Sequence, residues 1–208
     1  MPTWVWMLLA IVLVVVSVVL LVVAYNGLVR LRNLVQESWR QVDVELQRRH
    51  DLIPNLIETV KGYAAHERGV LVAVIDARNR AVATRQSPGS GPAAQGQAES
   101  FLQAALGKLF ALAEAYPDLK ANQNFLALQS QLAETEDRIA AGRGTYNANV
   151  RAMNTRVETF PVNVVAGMFR FTREQYFEVQ DQQIRAVPSV DFSGVGGYQL
   201  PSGPPPLP

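Results

Sequence analysis

The first pattern along the chain is an unbroken apolar run. Over residues 4–24 every side chain is apolar except Ser17. As a helix those positions span about 31 Å, which matches a bilayer core of about 30 Å. Valine dominates the run and is a mediocre helix former in water, but in lipid a lone segment satisfies its backbone only as a helix. Trp4 and Trp6 at one end and Tyr25 at the other occupy positions favoured by interfacial aromatic rings. A cleaved signal peptide fits less well, because it has a basic leader and a shorter apolar core, whereas no charged side chain precedes this run. Residues 1–25 are therefore predicted to be a transmembrane anchor. Arg30 and Arg32 follow at head-group level, with Arg40, Arg48 and Arg49 beyond. The positive-inside rule then places the N-terminus outside and the remainder of the chain in the cytoplasm.

Beyond the anchor the pattern becomes helical. Leu28, Leu31, Val35, Trp39, Val42, Leu46, Ile53 and Ile57 recur at steps of three and four, with His50 in the one interrupted slot. The set repeats every eleven residues, which keeps one face of a straight helix buried. Arg32, Gln36, Arg40, Asp43 and Gln47 form the opposite, solvated side, and Glu45 stands four residues before Arg49 in the order that favours an ion pair. Pro54 removes a helix hydrogen bond and crowds the carbonyl of His50. The apolar phase runs on through Val60, Ala64, Leu71 and Ile75, so a kinked continuation to about Arg85 is expected. Residues 86–97, with two prolines and three glycines, are expected to form a flexible loop. A second helix is predicted over 99–115, burying Phe101, Leu102, Ala105, Leu106, Leu109 and Ala113, and ending at Tyr116-Pro117-Asp118.

The third long helix carries the most regular seam. Phe125, Leu132, Ile139, Tyr146, Met153 and Phe160 fall seven apart, while the alternate positions after Leu128 are small or polar (Thr135, Gly142, Asn149). This is a coiled-coil-like face, and Gly142 and Gly144 admit a close neighbour. Pro161 ends it. Residues 162–177 are short, apolar and aromatic, and either fold back on the bundle or lie on a membrane or partner. The Pro/Gly-rich end over 193–208 has the composition of a disordered tail. The fold class predicted is all-α: an anchor leading into a long antiparallel bundle of three to four long helices.

Composition then removes alternatives. The chain has 19 Lys+Arg against 18 Asp+Glu, with no concentrated basic face, and so is not expected to bind nucleic acid. It has no cysteine, which excludes disulfides and thiolate metal sites. The two histidines lack the Glu-x-x-His spacing of a di-iron bundle, since Gln47 and Tyr63 stand three residues before His50 and His66. His66-Glu67 does not complete a zinc-protease motif, because Val70 occupies the place of the second histidine. His66-Glu67-Arg68 is read as a solvated helix turn. The acidic trio Glu134, Glu136 and Asp137 is explained by a Glu134–Arg138 pair rather than a metal. No catalytic residue, cofactor or metal site is assigned. Trp39, on an apolar face just beyond the membrane, is a candidate for self-association. Pro54 with Asn55, and Tyr116-Pro117 with Asn122 and Asn124, are candidates for docking; the plainer reading is that the asparagines satisfy backbone groups freed by the prolines.

Several segments resemble the LemA family: Y-N-G-L-V-R-L-R-N-L-V-Q-E-S-W at 25–39, R-R-H-D-L-I-P-N-L-I-E-T-V-K-G-Y-A at 48–64, A-E-A-Y-P-D-L-K-A-N-Q-N-F at 113–125, L-A-E-T-E-D-R-I-A at 132–140, Tyr146-Asn147, Phe160-Pro161, and R-A-V-P-S-V-D-F at 185–192. The resemblance implies a single-pass protein of the bacterial inner membrane whose helical domain, over 26–192, is cytoplasmic. It implies no settled biochemical activity and brings no catalytic motif. The expectation is a non-enzymatic membrane-anchored scaffold or interaction protein that works against the lipid bilayer and forms homo-oligomers. The alternative is an accessory subunit for an integral-membrane partner, such as a metalloprotease or a transporter.

Overall fold

In a computed structural model, which describes residues 2–179, a single helix α1 (Thr3–Lys61) joins the apolar run to the rest of the molecule without a break. It is followed by α2 (Arg68–Gln86), α3 (Pro92–Ala113), a short α4 (Pro117–Lys120), the long α5 (Gln123–Glu158) and a short α6 (Val162–Met168). α5 returns along α1, and the α2–α3 hairpin covers the half of α1 farthest from the apolar run. The expected all-α architecture is what the chain adopts. The tail and the segment around 186–192 lie outside the described residues.

Helix α1 passes through Pro54, as expected, but stops at Lys61 rather than continuing to Arg85. Gly62 follows, and the amides of Tyr63 and Ala64 both donate to the carbonyl of Val60 to close the end. The apolar phase had concealed this reversal because Val60, Ala64 and Leu71 are buried in one cluster on both sides of it. Ile75, placed on the same buried face, is exposed. His66 and Glu67 lie in the reversal and are not a helix turn.

The flexible loop expected over 86–97 is narrower. Pro92 supplies the fixed backbone angle suited to a first helical turn, so α3 begins there and only 87–91 connects it to α2. Gln95 and Gly96, placed in that loop, are buried. The second helix is thus longer at its start than the predicted 99–115 and ends two residues earlier, at Ala113. Leu102, Ala105, Leu106, Leu109 and Ala113 are buried as expected, but Phe101 is exposed.

On α5, Phe125, Leu132, Ile139, Tyr146 and Met153 are all buried, whereas Phe160 is 78% exposed. The helix ends at Glu158, before Pro161, so the heptad phase no longer governs where Phe160 points. A Cβ on Gly142 would meet Val42 Cγ2 at 3.0 Å, so this glycine does permit close approach of α1. Gly144 has no such neighbour. After α6 the chain runs extended over 171–179 and folds back onto the bundle, with Phe177 fully buried.

Two apolar clusters result. One, distal to the apolar run, joins α1, α2, α3, α4 and α5 through residues such as Leu56, Val74, Leu102, Leu119 and Phe125. The other, proximal to it, joins α1, α5, α6 and the extended segment through Leu28, Val42, Ile139, Val165 and Phe177.

Candidate functional site

Where the two clusters meet, one turn of α1 makes polar contacts with every other long helix. Glu99 of α3 is completely buried. Its Oε1 lies 2.8 Å from His50 Nε2 and accepts from Gln95 Nε2 at 2.8 Å, while its Oε2 accepts from Arg49 Nη1 at 3.4 Å. With Glu99 as carboxylate, His50 donates through Nε2–H. Arg49, also buried, reaches Glu136 of α5 through Nη2 at 3.1 Å. Gln95 Nε2 also donates to the carbonyl of Ala81 on α2 at 3.4 Å.

Pro54 is part of the same arrangement. Lacking an N–H, it leaves the carbonyl of His50 without its helix donor, and Arg78 Nε of α2 donates to that carbonyl at 3.1 Å. The interruption of the apolar pattern at His50 and the proline four residues on therefore have one explanation: they form a junction at which α1 is tied to α2, α3 and α5. Arg49 pairs here rather than with Glu45, which instead meets Arg138 at 3.6 Å. His50 Nδ1 and Gln95 Oε1 are buried without a protein partner. Arg49, His50, Gln95 and Glu99 are sealed from solvent while Glu136 lies half-exposed at the rim, and the chemistry is that of a structural ion cluster: two carboxylates held by one guanidinium and one imidazole.

The second constellation holds the extended segment. Asn154 donates to the carbonyl of Glu174 at 3.0 Å and accepts from the amide of Glu174 at 2.8 Å. Asn147 does the same for Phe177, both bonds at 3.0 Å. The spacing is geometric. Seven residues of helix advance about 10.5 Å and three residues of extended chain about 10 Å, so residues 147 and 154 match residues 177 and 174. Between them the Tyr146 hydroxyl donates to the carbonyl of Gln175 at 2.7 Å. Burial, and after it the charge of Glu174, push the Tyr146 hydroxyl well above its ordinary pKa. The segment thus acts as a strap, and its end presses on α3: a Cβ on Gly96 would strike the backbone of Glu178.

The residues singled out in the sequence are distributed as follows. Trp39 is not an uncovered stripe; it is half-buried, with its ring 5.2 Å from Tyr146 and 5.4 Å from Phe177. Asn122 caps α5, its Oδ1 accepting from the amide of Phe125 at 3.0 Å, and its Nδ2 donates to the Tyr63 hydroxyl at 2.9 Å. Tyr116 donates to Glu67 at 3.2 Å; desolvation first, then that carboxylate, raise its pKa. Tyr116 and Asn122 thus fasten the connections at the distal end to one another. Pro117 begins α4, and Pro54, Asn55 and Asn124 face solvent. Asn55 satisfies no group freed by a proline; that role falls to Arg78. Glu134 pairs with Arg138 at 2.6 Å, which holds its carboxyl below the usual range. Trp4, Trp6, Tyr25, Arg30 and Arg32 are exposed on α1.

Sequence reasoning missed Glu99, Gln95, Arg78, Asn147 and Asn154. The two asparagines carried a signal: each is a weak helix former inside a long helix, at heptad spacing. Glu99 carried none.

A model of the LemA family matches residues 38–192, from the turn of Ser38 through the junction, the clamping asparagines and the strap. The chain belongs to the LemA family. Among relatives of this LemA-family protein are the Magnetosome protein MamQ 2 of Paramagnetospirillum magneticum, 27% identical over 198 residues, covering 85% of this chain and 73% of that one. The Magnetosome protein MamQ of Magnetospirillum gryphiswaldense is 26% identical over 178 residues, covering 76% and 65%. Protein LemA of Metamycoplasma hominis is 27% identical over 141 residues, covering 68% and 63%. With the first part of α1 long and apolar enough to cross a membrane, the chain is a membrane-associated member of the family.

Proposed function

We propose that this LemA-family protein is a non-enzymatic scaffold: a helical surface held at a membrane, which self-assembles and organises membrane or partner proteins around it. The observation that carries the reading is the continuity of α1. One helix supplies both the bilayer-length apolar run and the spine on which the bundle is built. The buried polar groups of this chain serve rigidity, since Glu99, Arg49 and His50 are sealed and none meets a cleft. A rigid tethered surface performs its work by position. Relatives named as magnetosome proteins assign this chain no partner.

The orientation proposed has the N-terminus outside and the bundle in the cytoplasm of a bacterial inner membrane, from the arginines that follow the apolar run. A reporter fused after Phe192 is expected to work only in the cytoplasm; activity of a periplasm-dependent reporter there overturns it. Self-association is proposed through the helical domain, because the apolar run contains no glycine and so no G-x-x-x-G contact, while tethering raises local concentration. Since Trp39 is occupied within its own chain, Trp39→Glu is not a clean probe of assembly. Replacing residues 4–24 with an unrelated apolar helix is: cross-linked oligomers in native membranes should survive it. Affinity capture from solubilised membranes tests the scaffold itself. Capture of the chain's own copies supports it. Recovery of one stoichiometric integral-membrane enzyme or transporter, with no self-association, replaces it with an accessory-subunit function.

A further inference from the structure

Outside the apolar run, large apolar side chains are exposed singly or in pairs along the described residues, which is normal for a protein surface. The turn around α6 differs. Phe160, Val164, Met168 and Phe169 are 78%, 55%, 64% and 46% exposed, four within ten residues. Val162, Val165 and Ala166 form the opposite face of α6 and are buried. The helix therefore has two apolar faces, of which the bundle covers one.

The level of this turn is set by its contacts with α1. The cluster containing Val162, Val165 and Ala166 also contains Ala24 and packs against Leu21, both within the apolar run. The Phe169 ring lies 4.7 Å and the Phe171 ring 5.9 Å from the ring of Tyr25, the residue at the end of that run. An element that shares a cluster with Ala24 and is followed by rings packed on Tyr25 stands at the level where the apolar run ends. Exposed arginines follow or flank these segments in the chain: Arg30 and Arg32 on α1, Arg156 on the last turn of α5, and Arg170 just after α6. Arg32 lies over the Phe171 ring at 5.9 Å, and Arg30, Arg156 and Arg170 have no ion pair among the described residues. Glu158 is occupied by Arg173 at 2.9 Å.

We infer that the α6 turn is a second membrane attachment, inserting Phe160, Val164, Met168 and Phe169 into the interfacial layer of the same bilayer that α1 crosses. Apolar side chains bordered by arginine are suited to that layer, where the rings and the methionine enter the acyl boundary and the guanidinium groups meet anionic head groups. The occupant is lipid because of continuity: the exposed face adjoins the membrane-spanning part of α1, and no protein surface need be brought to it. The inference rests on α1 spanning the bilayer, as in the function proposed above.

The absence of cysteine allows a direct test in the full chain. Met168→Cys, Val12→Cys and Leu126→Cys, each carrying an environment-sensitive fluorophore, are reconstituted in vesicles of phosphatidylcholine and phosphatidylglycerol, with circular dichroism and thermal unfolding as checks of folding. Val12 reports the anchor and Leu126 the distal end. At Met168 the expected result is blue-shifted emission and strong quenching by a nitroxide placed high on the acyl chain. At Leu126 the dye should be quenched by aqueous iodide alone. Quenching of Val12 by lipid nitroxide with a Met168 dye open to iodide overturns the second attachment and leaves the anchor standing. A Met168 dye shielded from iodide but not quenched by lipid nitroxide also overturns it, because protein then covers the face. Failure of lipid quenching at Val12 removes the anchor and the inference together.

Discussion

The distal and proximal halves of this bundle bury similar kinds of residue but are closed by different materials. The distal half is walled by helices on every side, and its core of Ile53, Leu56, Val74, Leu102, Leu109 and Phe125 is wholly apolar. The proximal half has α1, α5 and the short α6, and its remaining side is closed by the extended strap over 171–179. A helix satisfies its own backbone, whereas an extended segment outside a sheet must borrow partners. Asn147, Asn154 and Tyr146 are those partners. The difference teaches that polar residues inside a helix can be the working face, when what they hold is backbone.

The comparison can be broken most severely by placing a charge in the proximal seam. Ile139→Asp should cost more than about 4 kcal/mol or prevent folding, since an unpaired buried carboxylate has no compensation there. Glu134→Ala, on the solvated face of the same helix, should leave the urea midpoint almost unchanged. Equal tolerance of the two would mean that α5 is turned differently from the structure described.

Next in size is the junction between the halves. Glu99→Ala leaves His50 without its partner and Arg49 with Glu136 alone, and should destabilise by about 3–5 kcal/mol in urea unfolding, the cost typical of breaking a buried pair. Glu99→Gln, which keeps an acceptor for His50, should lose less. A loss below about 1 kcal/mol for the alanine variant would show that the halves do not depend on this cluster.

Asn154→Ala should act on one half only. It removes two hydrogen bonds to the strap, worth roughly 1–3 kcal/mol together. Amide exchange should quicken over 171–179 while Leu56, Leu102 and Leu109 keep their protection. Uniform loss of protection would make the two halves one cooperative unit.

The smallest effect is a titration. Tyr146 is raised in the folded state, so its contribution to stability is complete below its unfolded pKa of about 10 and is lost as pH rises beyond that value. In alkaline ultraviolet titration, the difference between the parent chain and Tyr146→Phe should appear only where the proximal half opens. Phenolate from Tyr146 at its ordinary pH would show that the strap leaves the hydroxyl exposed.

The helices were legible because their burial is periodic: the heptads from Phe125 to Met153 and the repeat from Leu28 to Ile57 each mark one face. Legibility failed where periodicity carries no information. The reversal after Lys61 was hidden because Val60 and Leu71 enter the same core from opposite directions. Pro92 and Gly96 looked like loop composition, although one starts a helix and the other makes room for Glu178. His50 appeared as a gap in an apolar stripe, and its partner Glu99 lies on another helix, a relation that spacing along one chain does not express. Phe160 kept the heptad count after its helix had ended.

The unbroken course of α1 has a mechanical consequence. From Ala24 to Pro54 the helix has no hinge and extends about 45 Å, braced by α5. With the apolar run in a bilayer, as proposed above, such a rod is a lever whose short arm lies in the lipid. Helices tilt by about 20° on average to match hydrocarbon thickness, and over this length that angle carries the Pro54 turn sideways by roughly 15 Å. A modest change in bilayer thickness is thereby magnified into a displacement comparable to the diameter of a helix, delivered to whatever stands at the far end.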